Sequence, residues 1–155
     1  MADTTAADAA MAAPQAPRAE FVYEALVDIG ELVELGTGPL GERFMIPILG
    51  GSFEGQGLRG KVLPGGADRQ LLRPDGTRLL DALYEMQTDD GVVITVHNQV
   101  LSRTGACGEP YRFSQVTLTA PRGPYDWLNQ FVWVGTLHSL KPARNAVRVR
   151  VYKLV

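Results

Sequence analysis

The sequence predicts an all-β protein, a closed antiparallel barrel of about eight to ten strands around an interior cavity. Apolar and polar residues alternate along most of the chain, short turn-forming segments separate these stretches, and no long amphipathic helix is visible. Glycine accounts for 17 of 155 residues and proline for ten, which indicates many turns and therefore many short strands. A barrel of about eight strands can hold one small ligand, so the predicted shape is similar to that of lipocalins.

The first two predicted strands lie at 21–29 and 43–51. FVYEALVDI (21–29) has period two and places Phe21 on the same buried face as Tyr23. RFMIPILGG (43–51) is apolar but contains Pro47, which lacks a backbone N–H and therefore indicates a bulge or the end of a strand.

Further strands follow in the second half of the chain. LLDALYEMQ (79–87) alternates less cleanly, but the TDDG turn after it and the β-branched stretch VVITVHNQV (92–100) favour a strand. The last three strands are predicted at 111–119, 131–139 and 146–155, with one helical turn expected before the second of them. The final strand is too apolar to leave as an open edge, which favours closure of the barrel.

A glycine-rich stretch, GGSFEGQGLRGKVLPGGADRQ (50–70), contains seven glycines. We interpret these as bends in the barrel wall, with Gly65 and Gly66 forming a tight turn that delivers Asp68 to the next strand. A phosphate-binding loop is the alternative, but the stretch lacks a GxxxxGK[ST] pattern and no helix follows it.

The chain is expected to form one domain over 20–155, preceded by a flexible alanine-rich leader over 1–19. The net charge of -2 gives no electrostatic reason to expect nucleic acid or a membrane as partner, and no apolar run is long enough to span a bilayer. Cys107 is the only cysteine, which is compatible with a reducing compartment, and the cytoplasm is the expected location.

The order of four motifs resembles a known family. LGERFMIPILGGSFEGQGLRGKVLPGGAD, LLDALYEMQTDDGVVITV, PYDWLNQFVWVG and the terminal VRVYKLV are similar to domain-of-unknown-function family 3237, also called uncharacterised protein family 0311. The resemblance covers 21–155 and implies a small barrel with an interior cavity that self-associates, most simply as a homodimer. It further implies transformation of a small organic molecule without a cofactor. The sequence departs from the family pattern at Arg69, Leu83 and Val100.

Asp68 is the first candidate for a catalytic residue, because a carboxylate at the barrel mouth can act as a general base or acid. The alternative is that Asp68 caps the GGAD turn through backbone N–H groups. Asp81 and Tyr84 lie three residues apart and therefore point to opposite faces of a strand. Tyr84 in the cavity would donate a hydrogen bond to a substrate oxygen; otherwise it is an ordinary aromatic residue of the wall.

His97 is a candidate proton shuttle, since histidine titrates near neutrality, and the alternative is a hydrogen-bonded structural histidine. Asn98 points to the opposite face of the same strand and is a candidate ligand-binding residue. No HxH or HxxxH spacing is present, so no metal site is expected. Four further residues are candidates for contacts with a ligand: Glu54, Arg69, Trp127 and Trp133.

The leading functional hypothesis is a cofactor-independent lyase, isomerase or cyclase that acts on a small apolar molecule bearing a carbonyl or hydroxyl group. Asp68 would transfer the proton, assisted by Tyr84 or His97. The alternative is a barrel that binds or carries a small ligand without catalysis. A carboxylate of raised pKa inside the cavity, beside a second proton donor, favours the enzyme, whereas a uniformly apolar cavity favours the carrier.

Overall fold

The computed structural model describes residues 13–155, and ten strands account for most of them. A short 3₁₀ helix (Asp126–Gln130) stands between the eighth and ninth strands. The strands are β1 (Ala19–Ile29), β2 (Val33–Gly38), β3 (Gly41–Gly55), β4 (Leu58–Val62), β5 (Ala67–Leu72), β6 (Arg78–Thr88), β7 (Val93–Thr104), β8 (Pro110–Thr119), β9 (Trp133–Ser139) and β10 (Ala146–Leu154). The predicted all-β class is confirmed.

The strands close into an antiparallel barrel. β1 pairs with β10 on one side and β3 on the other, and β10 to β6 follow one another around the wall. β6 pairs with both β4 and β5, and these two short strands pair in turn with β3. Since β4 and β5 share one place, the wall has eight positions, and β2 lies outside the ring as a partner of β3. The predicted closure is therefore confirmed.

Two register shifts in the first strands change which residues face inward. The bulge expected near Pro47 is present, because the register between β1 and β3 shifts between Asp28 and Ile29, and β3 continues through the proline. The placement of Phe21 on the buried face was wrong. The register between β1 and β10 shifts between Phe21 and Tyr23, so Phe21 is turned outward and 54% exposed, with its ring against Tyr152.

One end of the barrel is filled by large side chains. Trp133 is buried and its Nε1 donates to the Leu128 carbonyl at 2.9 Å, which fixes the 3₁₀ helix over this end. Below it lie other fully buried side chains, among them Tyr23, Phe53, Leu58, Met86 and Ile94. Because these residues fill only one half of the barrel, the interior space lies in the other half.

The glycine-rich stretch forms bends and close strand crossings, as predicted. A Cβ on Gly60 would lie 2.0 Å from the Gln87 carbonyl oxygen, so only glycine lets β4 approach β6 here. A Cβ on Gly66 would lie 2.5 Å from the Tyr84 Cβ, and Gly65 before it has φ of +107°. This turn therefore sets β5 directly against β6, which places Asp68 on the inner wall.

Strand pairing at the N-terminal side of the barrel begins at Arg18. Arg18 exchanges two backbone hydrogen bonds with Val155, at 2.8 and 2.9 Å, so pairing begins just before β1. The predicted leader falls largely on residues 1–12, which lie outside the described residues, and it stays a prediction. None of the helices within 13–155 is long and apolar enough to cross a membrane.

Candidate functional site

A cavity occupies the open half of the barrel, with a volume of about 500 Å³ that includes its mouth. Ten of its fourteen lining residues are aliphatic, and the other four are Asp68, Gln70, Tyr84 and Asn98. The aliphatic residues are Val27, Ile29, Ile46, Ile48, Leu80, Ala82, Val100, Leu137, Val147 and Val149. Of this space, about 70 Å³ is enclosed enough to compare with cavity volumes of other proteins, so a ligand held here must be small.

The polar residues of the cavity follow from the register of three neighbouring strands. Asp68 on β5 is opposite Ala82 on β6, which is opposite Asn98 on β7. Asp68 and Asn98 are thus two strand spacings apart, about 9–10 Å along the wall, with the small Ala82 side chain between them. Tyr84 is two residues further along β6 and therefore lies on the same inner face, at the floor of the cavity.

A side-chain hydrogen bond holds one oxygen of the Asp68 carboxyl group. Gln70 Nε2 donates to Asp68 Oδ2 at 2.7 Å, and Arg78 Nη1 donates to Gln70 Oε1 at 2.9 Å. Asp68 Oδ1 is buried and has no hydrogen-bond partner within residues 13–155.

Burial raises the pKa of Asp68 above its ordinary value, and the charge of Asp81 adds to the rise. The Gln70 hydrogen bond, the Asp81 backbone N–H and the Arg78 charge lower this pKa in part. Although the Asp81 N–H lowers this pKa, it forms no hydrogen bond to Asp68 Oδ1. The cavity therefore contains a carboxyl group whose charged form is disfavoured.

Tyr84 and Asn98 also carry polar atoms without partners. Both residues are 2% exposed, and neither the Tyr84 hydroxyl nor Asn98 Oδ1 has a hydrogen bond in the described part of the chain. Burial raises the pKa of Tyr84, so its hydroxyl remains protonated and can donate. Buried polar groups are nearly always hydrogen-bonded, so three such atoms around one cavity point to a bound molecule or water as their partner.

His97 lies on the outer face of β7 and is not brought to the cavity. Its Nε2 is 2.6 Å from Asp81 Oδ1, and Gln99 Nε2 donates to the other oxygen of the same carboxylate at 3.4 Å. Asp81 and His97 are both substantially exposed, with 51% and 40% of their side-chain surfaces open to solvent. The expected opposition of Asp81 and Tyr84 is thus observed, and Tyr84 is the inward residue.

The other candidates for ligand contacts lie away from the cavity. Glu54 is exposed on the outer face of β3, opposite Arg59, and Arg69 is exposed on the outer face of β5, opposite Asp81. Trp133 belongs to the filled end, and the Trp127 ring lies 6.0 Å from it. The two tryptophans therefore close the end of the barrel that is opposite the mouth.

No group of three or more metal-ligating side chains is found among the described residues. Among the described residues, His97 contacts one carboxylate, that of Asp81. The polar atoms of the cavity are a carboxyl, two amides and a phenol, which suit hydrogen bonding to an organic molecule.

Comparison with known proteins places the chain in a family. The family model described as "Protein of unknown function (DUF3237)" matches residues 17–154. The chain belongs to the DUF3237 family. A UPF0311 protein of Rhodopseudomonas palustris strain TIE-1 is 37% identical over 144 residues, which cover 84% of this chain and 90% of the relative.

Solved structures of DUF3237-like barrels agree with the fold. A β-barrel-like protein of Acinetobacter baumannii superposes with a TM-score of 0.85 at 30% identity, covering 92% of this chain and 99% of that one. A Rhodopseudomonas palustris protein of unknown function gives a TM-score of 0.83 at 29% identity, covering 92% and 100%. A Penicillium herquei protein described as an enzyme gives 0.74 at 24% identity, covering 93% and 98%, and shows the fold alone.

The three residues at which the sequence was expected to depart from the DUF3237 pattern lie in different places. Val100 lines the cavity, directly beyond Leu80 on the neighbouring strand. Leu83 and Arg69 are exposed on the outer face. Of the three residues, Val100 is the one whose side chain lines the cavity.

Gln70 and Arg78 were not anticipated as members of the site. Their signal in the sequence is a polar residue at an inward-facing position: Gln70 follows Asp68 by two along β5, and Arg78 precedes Ala82 by four along β6. The register alone brings the two side chains together across the strands.

Proposed function

We propose that this barrel catalyses proton transfer on a small, mostly apolar molecule that bears a carbonyl or hydroxyl group, as a lyase, isomerase or cyclase without a cofactor. The observation that carries the proposal is the Asp68 carboxyl group, which is partly buried in a mostly aliphatic cavity and whose Oδ1 is buried and unpartnered among the described residues. General bases and acids in enzymes are commonly carboxyl groups whose pKa is raised by such an environment.

In the proposed reaction Asp68 Oδ1 removes a proton from the carbon next to a carbonyl group. The electron pair left by the C–H bond moves into an enolate, and the Tyr84 hydroxyl donates a hydrogen bond to its oxygen. The Asn98 amide, across the gap above Ala82, orients the other end of the molecule. Asp68 then returns the proton to another atom, which makes the step an isomerisation or allows an elimination or ring closure to follow.

The competing function is binding without catalysis, and the ten aliphatic lining residues favour it. An apolar barrel interior binds a small apolar ligand by burial alone. The carrier does not need a carboxyl group inside, and leaving Asp68 there costs stability because its charge is desolvated. This cost supports the catalytic proposal over the carrier.

We also propose self-association, most simply as a homodimer, and a cytoplasmic location. The family resemblance supports the first. So do apolar side chains on the outer wall, since Leu49, Leu83 and Phe113 are 57%, 53% and 52% exposed. A chain whose only cysteine is the free, exposed Cys107 suits a reducing compartment.

Deuterium exchange into simple ketones tests the catalytic proposal. Cyclopentanone and acetophenone are slender, uncharged molecules with exchangeable C–H groups, and NMR chemical-shift changes of cavity residues identify which of them binds. In D₂O the protein should speed the exchange, and Asp68→Asn should slow it by about 10²–10⁴-fold, the usual contribution of a general base. Asp89→Asn, in an exposed turn of the filled end, is the matched control and should exchange at the normal rate.

The two outcomes that decide against catalysis are specific. A ketone that binds in the cavity but exchanges no faster than in buffer contradicts the proposal and favours the carrier. Equal exchange rates in the wild type and Asp68→Asn would assign the catalysis to another group.

A further inference from the structure

The side chains behind Asp68 form a chain of hydrogen bonds that runs to the rim of the barrel. Asp68 Oδ2 accepts from Gln70 Nε2, and Gln70 Oε1 accepts from Arg78 Nη1. The Arg78 guanidinium in turn lies over the Phe44 ring, with 5.0 Å between Cζ and the ring centroid. Phe44 is directly opposite Gln70 on the neighbouring strand, so the ring, the guanidinium and the amide support one another.

The direction of this chain follows from chemistry. A guanidinium group can only donate hydrogen bonds, so the atom of Gln70 that meets Arg78 must be the carbonyl oxygen Oε1. The amide nitrogen of Gln70 is then turned toward Asp68, where it can only donate. Asp68 Oδ2 is thereby required to accept, and a proton on the carboxyl group is directed to Oδ1.

We propose that Gln70 and Arg78 are positioning residues that select Oδ1 of Asp68 as the oxygen that exchanges protons with a molecule in the cavity. This inference rests on the proposed function, but it concerns how the carboxyl group is held. Gln70 fixes Oδ2 as an acceptor, and Arg78 fixes the amide orientation of Gln70. The unpartnered Oδ1 is the oxygen left for a ligand.

The groups around Asp68 determine what removal of either residue should do. Gln70 lies on β5, the same strand as Asp68. Three neighbours come from β6, namely Arg78, Asp81 and Tyr84. Asn98 comes from β7, and the uncharged Ile46 comes from β3. Gln70, Arg78 and the Asp81 backbone N–H favour the carboxylate form, whereas burial and the Asp81 charge oppose it. Loss of either positioning residue should therefore raise the pKa of Asp68 further.

Carbon-13 NMR of the full chain, labelled at aspartate carboxyl carbons, tests the inference without any substrate. Asp68→Asn assigns the resonance by its disappearance. Gln70→Leu should raise the pKa of Asp68 by about one unit, as expected for one hydrogen bond to a charged group. Arg78→Leu should raise this pKa as well, because it removes a nearby positive charge and frees the Gln70 amide. Arg69→Leu is the matched control for Arg78→Leu. It removes the same charge, from β5 next to Asp68 but on the outer face, and it should leave the pKa of Asp68 unchanged.

The side-chain amide of Gln70 gives the readout that separates positioning from simple charge. In the wild type its nitrogen resonance should titrate with the same midpoint as the Asp68 carboxyl carbon, because the two groups are hydrogen-bonded. In Arg78→Leu the amide is free to turn, so this shared titration should be lost. In Arg78→Lys, which keeps a group that only donates, it should be retained.

The inference is overturned if Gln70→Leu leaves the pKa of Asp68 unchanged, or if the Gln70 amide follows the Asp68 titration in Arg78→Leu. Backbone amide spectra verify that each variant is folded. If Gln70→Leu does not fold, the two Arg78 variants still test the inference, because Arg78 lies at the rim of the barrel. If Asp68→Asn exchanges the ketone at the normal rate while the other proteins titrate as predicted, the catalytic proposal is wrong and the positioning roles of Gln70 and Arg78 stand. If Asp68→Asn abolishes exchange but the pKa of Asp68 is unchanged in the Gln70 and Arg78 variants, the positioning roles are wrong and the catalytic proposal stands.

Discussion

At the scale of single residues, Asp68 lies where burial disfavours its charged form. The raised pKa means that the folded protein binds a proton at Asp68 more tightly than the unfolded chain does. Period-two alternation predicted that Asp81 and Tyr84 point to opposite faces, but it left open which of them enters the cavity and whether Asp68 serves the site or caps the GGAD turn. The environment of Asp68 could not be predicted, because Gln70 and Arg78 meet only through the register of β5 and β6.

The first prediction concerns the stability of Asp68→Asn as a function of pH. Because the folded state binds more protons, the free energy of unfolding of the wild type should fall as pH rises from the ordinary aspartate value, about 3.9, through the raised pKa. The variant lacks this contribution, so subtracting its stability from that of the wild type cancels the other carboxyl groups. Urea denaturation at several pH values measures the difference.

The wild type should lose stability relative to Asp68→Asn as pH rises through this window, and the difference should then stay constant. A relative gain of stability with rising pH would mean that the carboxylate is stabilised in the fold. Asp68 would then be a cap of the GGAD turn, the alternative function considered for it.

At the scale of structural elements, the wall of β5, β6 and β7 makes the site. Arg69 on β5 and His97 on β7 were candidates for the site and lie on the outer face, as does Glu54 on β3. The sequence predicted which residues of a strand share a face, since alternation has a fixed period, but not which of the two faces is inward. It did not predict which inward residues line open space. The location of open space depends on the stagger of the strands and on the point where β5 replaces β4 as the partner of β6. Closure of the whole barrel determines both.

Ala82→Leu should block the space between Asp68 and Asn98. The added side chain occupies the gap in the row of three strands, so the affinity for any cavity ligand should fall by more than about tenfold, while overpacking costs about 1–3 kcal/mol. Ala67→Leu, one strand away on the outer face, is the control and should bind normally. Isothermal titration with the ketone identified by NMR measures both, and undiminished binding to Ala82→Leu would place the ligand elsewhere.

Gly60→Ala should be severely destabilising, by more than about 2 kcal/mol, because its methyl group would meet the Gln87 carbonyl oxygen where β4 crosses β6. Gly57→Ala is the comparison. Gly57 has φ of +66° with no neighbour within 4 Å of a Cβ, so its substitution should cost only about 1–2 kcal/mol of backbone strain. Thermal and urea denaturation distinguish the two, and equal costs would contradict the close crossing.

At the scale of the whole molecule, the barrel has a filled half and an open half. Trp133, Tyr23 and Phe53 build the first, and the 3₁₀ helix closes it. The sequence indicated closure through the apolar last strand but placed the two tryptophans only as candidates to line or close the cavity. Their position at the opposite end follows from the long connection between β8 and β9, whose path the sequence pattern did not determine.

Sedimentation equilibrium at tens of micromolar protein should find a species of twice the 16.8 kDa of one chain. The exposed apolar side chains of the outer wall give a dimer its surface, and association buries them. A single species with the mass of one chain at these concentrations would contradict the proposed homodimer.

The pH dependence of ketone deuterium exchange tests the central claim most directly. If the Asp68 carboxylate is the base, the exchange rate should rise with pH along one titration curve, and its midpoint should equal the raised pKa of Asp68 measured by carbon-13 NMR. Gln70→Leu should move both midpoints upward together. A rate that is independent of pH, or a midpoint that stays fixed while the Asp68 titration moves, would contradict the account.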